Sequence, residues 1–322
     1  MTALNLRPYR RGDVPDESSV PVAVIVLTKD ESANIERCLS SLRWAEQVVV
    51  VDSGSTDDTV QQAAALGAEV VVEPWRGYGA QREFALRLPM LRHDWAYFVD
   101  ADEWVSPELA GEVARVLAAP RYDAFAQRRR LVFQSKWIRH CGWYHGTWLV
   151  RLMKRSEARF GDDTFGEHAQ VAGSVGHLRH DLVDEDRKGL AAWLHKHVRY
   201  AELEAAQPGG QLRFRQRWER FCSARDSDSR PLPRAIAKDL VFPLLPARPL
   251  ATFLYMYAFR RGFLDGTVGL RFCYYHAWFQ LTIEALRSEI PTGDHSPAVD
   301  SSTAGGRGRD HGCTTSVRSR NW

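Results

Sequence analysis

Three uninterrupted apolar runs set out the N-terminal half of the chain: Val22 to Leu27, Val48 to Val51 and Trp95 to Val99. A strand buried on both faces reads as such a run rather than as an alternation, which is the pattern of a parallel sheet. Each run ends abruptly in polar residues. Thr28-Lys29-Asp30-Glu31-Ser32 follow the first, Asp52-Ser53-Gly54-Ser55-Thr56-Asp57-Asp58 the second, and Asp100-Ala101-Asp102-Glu103 the third. Helical spacing fills the intervals. Ile35, Leu39 and Leu42 mark one helix, capped by Ser32 or Asn34. Ser55 or Thr56 caps another, with Asp57 and Asp58 in its first turn and alanines leading to Gly67. A strand from Glu69 to Val72 comes next, and the glycine-containing loop Trp75 to Arg82 enters a helix that ends near Pro89. Further on, the pattern predicts a helix over 107–118, one strand over 122–133 and a helix over 188–204.

Strand, loop and helix in repeated alternation predict a doubly wound α/β fold, whose strand ends open into one crevice at the edge of the sheet. Thr28, Asp52 and Asp100 are therefore expected to meet there. No GxGxxG follows the first strand and no GxxxxGK[ST] occurs anywhere, so neither a dinucleotide fingerprint nor a P-loop accounts for them. Three carboxylates within four residues, at Asp100, Asp102 and Glu103, repel one another at the end of a buried strand and call for a cation.

At 322 residues with 44% hydrophobic content, the chain is long enough for a substantial core. A net charge of +3 is too small to argue for general nucleic-acid binding. Basic residues cluster at Arg128-Arg129-Arg130, from Arg213 to Arg220, at Arg260-Arg261 and around Arg307 to Arg320, each reading as a solvated face. Five scattered cysteines without CxxC spacing, and an N-terminus lacking an apolar signal region, fit a reducing cytoplasm. The run Leu250 to Phe259 is far shorter than the ~20 apolar residues of a spanning helix. With Phe253, Tyr255, Tyr257, Phe263 and the flanking Arg260-Arg261, the segment reads either as lying in a membrane interface or as a helical pair packed on the rest of the chain.

Val24-Ile25-Val26-Leu27-Thr28-Lys29-Asp30-Glu31, Val50-Val51-Asp52-Ser53-Gly54-Ser55-Thr56-Asp57 and Asp100-Ala101-Asp102-Glu103 together resemble the family 2 glycosyltransferases. Gly142-Trp143-Tyr144, Arg151 to Arg155, Tyr200 to Ala205 and, more weakly, Arg261-Gly262-Phe263-Leu264-Asp265-Gly266 are similar to the branch that builds lipopolysaccharide core and surface polysaccharides. The resemblance implies a GT-A fold, a Rossmann-like doubly wound and mostly parallel sheet, with a helical C-terminal extension. It divides the chain into an arm (1–20), a nucleotide-sugar and catalytic domain (21–185), a helical region (186–290) that associates with the membrane in one reading, and a disordered tail (291–322). It implies a nucleotide-sugar donor, a uridine-linked one foremost, and a glycan or lipid-linked acceptor. Thr28 and Glu31 would line the pocket for base and ribose, Asp52 would bond the base, Asp100 would lie nearer the ribose, and Asp102 would bind Mn²⁺ or Mg²⁺ on the diphosphate. Arg82 would either contact the diphosphate or face water. Related sequences show His then Glu where this chain has Gly166-Glu167-His168, so either Glu167 or His168 is the proton acceptor.

The chemistry needs these groups. Breaking the anomeric bond to a diphosphate builds negative charge on the leaving nucleotide, which a hard divalent cation offsets. An acceptor hydroxyl must lose its proton as it attacks, and attack opposite the leaving group inverts the anomeric centre. Two other readings compete: a non-catalytic sugar-binding scaffold on the same fold, and a phosphotransferase with an aspartyl nucleophile, in which the Asp-x-Asp pair would follow an early strand.

Overall fold

The computed structural model describes residues 19–144, 148–161, 168–206 and 247–289. Most of the N-terminal arm, the 291–322 tail with its arginines, the basic stretch from Arg213 to Arg220, and Glu167 lie outside the described residues.

The chain divides into two compact units, one of residues 1–198 with 249–279, the other of 199–248 with 280–322. In the first, a seven-stranded sheet has the spatial order β12-β6-β9-β4-β1-β2-β3. Its strands are β1 (Val20–Thr28), β2 (Ala45–Asp52), β3 (Glu69–Val72), β4 (Trp95–Asp100), β6 (Ala124–Gln127), β9 (Leu149–Lys154) and β12 (Val175–His177). β1 is central, parallel to β2 and β4, and β2 is parallel to β3; β9 runs antiparallel between β4 and β6. The apolar runs are continuous because both faces of β1 are covered. Val22, Val24 and Val26 face α1 (Ile35–Ser40) and α4 (Pro107–Ala118) through Ile35, Leu39, Leu109 and Val113. Ala23 and Ile25 face Ala85 and Leu86 of α3 (Tyr78–Leu86). Each fully buried Val or Ile contributes about 1.5–3 kcal/mol.

A second, four-stranded sheet has the order β5-β13-β7-β8, with β5 beginning three residues after the end of β4. It comprises β5 (Glu103–Trp104), β7 (Arg129–Phe133), β8 (Lys136–Trp137) and β13 (Leu182–Asp184). The single strand expected over 122–133 is thus two strands in two sheets. The change falls at Arg128: Gln127 pairs with Leu149 in the large sheet, and Arg129 with Leu182 in the small one. A period-2 pattern cannot show such a transfer, because both sheets keep the same alternation. The second helix, α2 (Thr59–Ala65), starts later than expected. Asp57 and Asp58 precede it, and Asp57 instead accepts bonds from the Thr59 and Ser32 amides, which with their hydroxyls hold its pKa at about 2 despite desolvation.

The segment 249–279 holds α6 (Arg248–Leu254) from its second residue, a π-helical turn (Tyr255–Phe259), a 3₁₀ turn (Gly262–Asp265) and most of α7 (Gly266–Glu289). Met256, Phe272 and Cys273 build a third core with Phe133, Ile138 and Cys141. Asp265, buried, pins this segment to the loop after β8: it accepts the His140 amide at 2.8 Å, its other oxygen lies 2.8 Å from His140 Nδ1, and its carbonyl accepts Lys136 Nζ at 2.6 Å. Gly269 is required there, since a Cβ would sit 2.3 Å from the Gly262 carbonyl oxygen. Within the second unit, Ala201, Ala205 and Ile283 are buried and Arg287 donates to the Glu204 carbonyl.

Candidate active site

Register alone gathers the three strand ends. Thr28 pairs with Asp52 across β1 and β2, and Leu27 pairs with Asp100 across β1 and β4. Asp52 is fully buried and takes the Thr28 hydroxyl at 3.0 Å, the Gly54 and Ser55 amides at 2.8 and 2.7 Å, and the Ser55 hydroxyl. Its carboxylate therefore shapes the 53–55 turn, where Gly54 has φ +82°. The two loops are laced together: Asp30 accepts the Thr56 amide at 2.7 Å, and the Glu31 amide donates to Thr59 Oγ1 at 2.8 Å.

The Asp100–Glu103 turn is built on guanidinium groups. Arg82, buried on α3, donates to one oxygen of Asp100 at 3.0 Å, and Arg151 of β9 donates to the other at 2.9 Å. Arg151 also reaches Glu103 Oε1 at 3.2 Å, and Glu103 accepts the Asp100 amide at 2.8 Å. Burial opposes ionisation of Asp100, but Arg151 and Arg82 together hold it below the usual carboxylate range. Glu103, buried and second in its claim on Arg151, is pushed up to about 8.

Asp102 stands apart from this network. Its side chain is 17% exposed, and its ion-pair partner, Lys196 of α5 (Gly189–Ala205), lies 3.7 Å away, beyond hydrogen-bond distance. Its charge is felt nearby. Glu31 and Asp184 are both raised, first by burial and next by the charge on Asp102, Asp184 to about 7. Glu31 is meanwhile tied to Lys188 at 2.6 Å and Asn34 at 2.8 Å. Carboxylates that raise one another are what a divalent cation would relieve, so the donor set fits Mn²⁺ or Mg²⁺. Among the described residues no three metal-ligating side chains converge.

Thr28, Glu31, Asp52, Arg82, Asp100 and Asp102 thus belong to one neighbourhood at the strand ends. His168 is exposed immediately before β11 (Ala169–Val171), which among the described residues pairs with β10 (Ala158–Phe160) alone. Residues that the sequence reading did not single out for the site are Arg151, Arg129, Asp184, Lys188 and Lys196. Arg151 had a signal: an arginine inside the apolar strand Leu149-Val150-Arg151-Leu152-Met153 must find a carboxylate to be buried.

Residues 23–173 match the family described as Glycosyl transferase family 2. An uncharacterized glycosyltransferase of Rickettsia bellii is 43% identical over 116 residues, covering 36% of this chain and 37% of that protein. The lipopolysaccharide core biosynthesis glycosyltransferase LpsC of Rhizobium meliloti is 35% identical over 105 residues, 31% of this chain and 38% of that protein. The chain thus spans less than two-fifths of the length of these curated relatives. Glucosyl-3-phosphoglycerate synthase of Mycobacterium tuberculosis, solved with Mn²⁺, uridine diphosphate and glucosyl-3-phosphoglycerate, is 26% identical with a TM-score of 0.30, over 34% of this chain and 44% of that one. Residues 23–173, which carry the central strands and the carboxylate turn, are similar to glycosyl transferase family 2 and have the GT-A fold.

Proposed function

We propose that this chain is an inverting glycosyltransferase, transferring a sugar from a nucleotide-sugar to a glycan or lipid-linked acceptor in the synthesis of bacterial surface polysaccharide or lipopolysaccharide. The observation that carries this is Asp102, just past β4, which meets Lys196 only across a 3.7 Å ion pair while its neighbour Asp100 is bracketed by two guanidiniums. The family match over 23–173 and the similarity to LpsC, a lipopolysaccharide core biosynthesis glycosyltransferase, support the reaction class and the pathway.

Asp102 would hold Mn²⁺ or Mg²⁺, and such an ion offsets charge on a departing diphosphate. Thr28 and Glu31 line the nucleotide side. Asp52 holds the 53–55 turn rigid beneath it, and Asp100 with Arg82 and Arg151 fixes the direction of the Asp102 loop; a ribose contact by Asp100 would have to displace one of these arginines. Glu167 or His168 accepts the proton of the attacking hydroxyl. Nucleotide-sugars screened by thermal shift with Mn²⁺ should include one, uridine-linked donors being tried first, that stabilises the protein by mass action, by about 2.7 kcal/mol at a hundredfold excess over Kd. Glu167→Gln should retain that stabilisation and lose about 10²- to 10⁴-fold in turnover; full turnover assigns the proton to His168 or elsewhere. If no nucleotide-sugar stabilises the protein, the reading is wrong.

The acceptor reading extends to a lipid surface. Among the described residues no helix is long and apolar enough to cross a membrane. Yet Phe259 is 76% exposed and Tyr274 65%, with Leu250, Leu254 and Leu264 also exposed beside Arg261 and Arg271, and the one acid in 249–279, Asp265, is buried. An exposed apolar and basic face without exposed acids suits an anionic lipid surface. The protein should float with anionic vesicles and not with neutral ones, and Phe259→Asp should abolish it; wild-type protein that stays at the bottom of the gradient removes the membrane from the proposal.

A further inference from the structure

The run Arg128-Arg129-Arg130, a solvated basic face by sequence, is divided by the structure between two sides of an extended chain. Arg129 turns toward Glu103 and Asp184, at 3.7 and 3.4 Å, within the carboxylate network. Arg128 and Arg130 turn together to the other side, as alternation requires. There both address one carboxylate, the buried Asp181, at 3.3 and 3.4 Å, and Asp181 also accepts the Tyr144 hydroxyl at 2.9 Å.

Aromatic rings frame these guanidiniums. Arg128 lies over Tyr144 and Trp148, at 4.7 and 5.1 Å, and Arg130 over Trp137 at 4.5 Å. Stacking on a ring leaves the edge of a guanidinium, with its fork of N–H donors, open to a planar or tetrahedral oxyanion. The Nε of Arg130 and the Trp137 indole N–H are buried without a hydrogen-bond acceptor among the described residues, and Arg128 Nε meets Asp181 only as an ion pair at 3.3 Å, out of line for a hydrogen bond. Here two arginines share one carboxylate, and each side chain remains about a quarter exposed, at 28% and 27%.

The cluster adjoins the candidate active site through the chain itself, since Arg128, on Asp181, is followed directly by Arg129, on Glu103 and Asp184. Arg128 packs with Glu103, Arg129 and Arg151 around a crevice too small to hold a water molecule. Gln127 projects into this lining with its amide nitrogen buried and unsatisfied, its oxygen being held by the Tyr97 hydroxyl at 3.0 Å. Aromatic faces accept the apolar faces of sugar rings, and paired guanidiniums accept anionic oxygens.

We propose that Arg128 and Arg130, framed by Trp137, Tyr144 and Trp148, form an acceptor subsite that takes an acidic sugar through its carboxylate or phosphate oxygens. That it serves an acceptor rests on the glycosyltransferase reading; that it binds an anionic sugar does not.

The test titrates a hexuronic acid, a hexose phosphate and the corresponding neutral hexose into the full chain by ligand-observed NMR, at low and high ionic strength. A charged sugar should bind at least about tenfold tighter than the neutral hexose, with the preference shrinking in salt. Whichever anion binds better identifies carboxylate or phosphate. Arg130→Gln, which leaves Asp181 with Arg128 and Tyr144, should remove most of the preference. Equal binding of charged and neutral sugars by wild-type protein overturns the proposal without recourse to any variant, and so does a preference that a folded Arg130→Gln retains. Uridine diphosphate binding with Mn²⁺, measured on the same samples, should be unchanged in Arg130→Gln. Its absence from both proteins would defeat the glycosyltransferase reading while the sugar titration still decides the subsite.

Discussion

Asp102→Ala loses Mn²⁺-dependent binding of a nucleoside diphosphate and lowers sugar transfer by about 10²- to 10³-fold, the scale of removing one preorganised charge-stabilising group. The fold should not suffer. The Asp102 backbone carbonyl keeps its bond from the Glu185 amide at 2.9 Å, and the side chain gives up only a 3.7 Å ion pair with Lys196. Removing its charge also relieves Glu31 and Asp184, both of which it raises. The variant should therefore melt at the wild-type temperature or slightly above it while being inactive, the signature of a group kept for function at some cost in stability. Calorimetric titration of uridine diphosphate with and without Mn²⁺, beside a melting curve, checks both halves. Wild-type transfer with undiminished Mn²⁺-dependent binding would show that Asp102 holds no metal.

Arg151→Met should do the reverse and act first on stability. Arg151 is buried and serves Asp100 at 2.9 Å and Glu103 at 3.2 Å. Methionine fills much of the volume but leaves the buried Asp100 carboxylate, and Glu103 once it ionises above about pH 8, short of their common cation. Breaking a buried pair in this way costs about 3–5 kcal/mol, because the surviving charge stays desolvated. Arg82 and Arg129 remain as partial partners, which places the expected loss toward the lower figure. Urea denaturation measures it directly, and a loss under about 1 kcal/mol would mean that Asp100 and Glu103 share a proton and do not depend on the arginine. The contrast between the variants separates the two acids of the Asp100-Ala101-Asp102 turn: Asp100 is held by the protein, and Asp102 is left for a ligand.

The central strands and their order of loops were legible in the chain. A parallel strand covered on both faces has to be continuously apolar, so Val22 to Leu27 and Val48 to Val51 carry their own signature, and the polar residues after them fall at one edge by the geometry of crossover connections. Helix α4 was equally plain, because Ser106 caps it by accepting the Leu109 amide, with Pro107 behind it. The start of α2 was not. Asp57 serves the neighbouring loop through Ser32, a partner 25 residues away that no local rule supplies.

The same division runs through the site. Residue type and strand position determined that Thr28, Asp52, Asp100 and Asp102 meet and that their carboxylates need partners. Tertiary structure decided which partners. Arg151 from an antiparallel strand and Arg82 from a helix neutralise Asp100, and the packing of the small sheet decides that Arg129 meets Glu103 and Asp184 while Arg128 and Arg130 meet Asp181. Strand burial and alternation depend on neighbours along the chain, whereas the pairing of charges depends on distances between elements far apart in sequence, which only the packed fold sets.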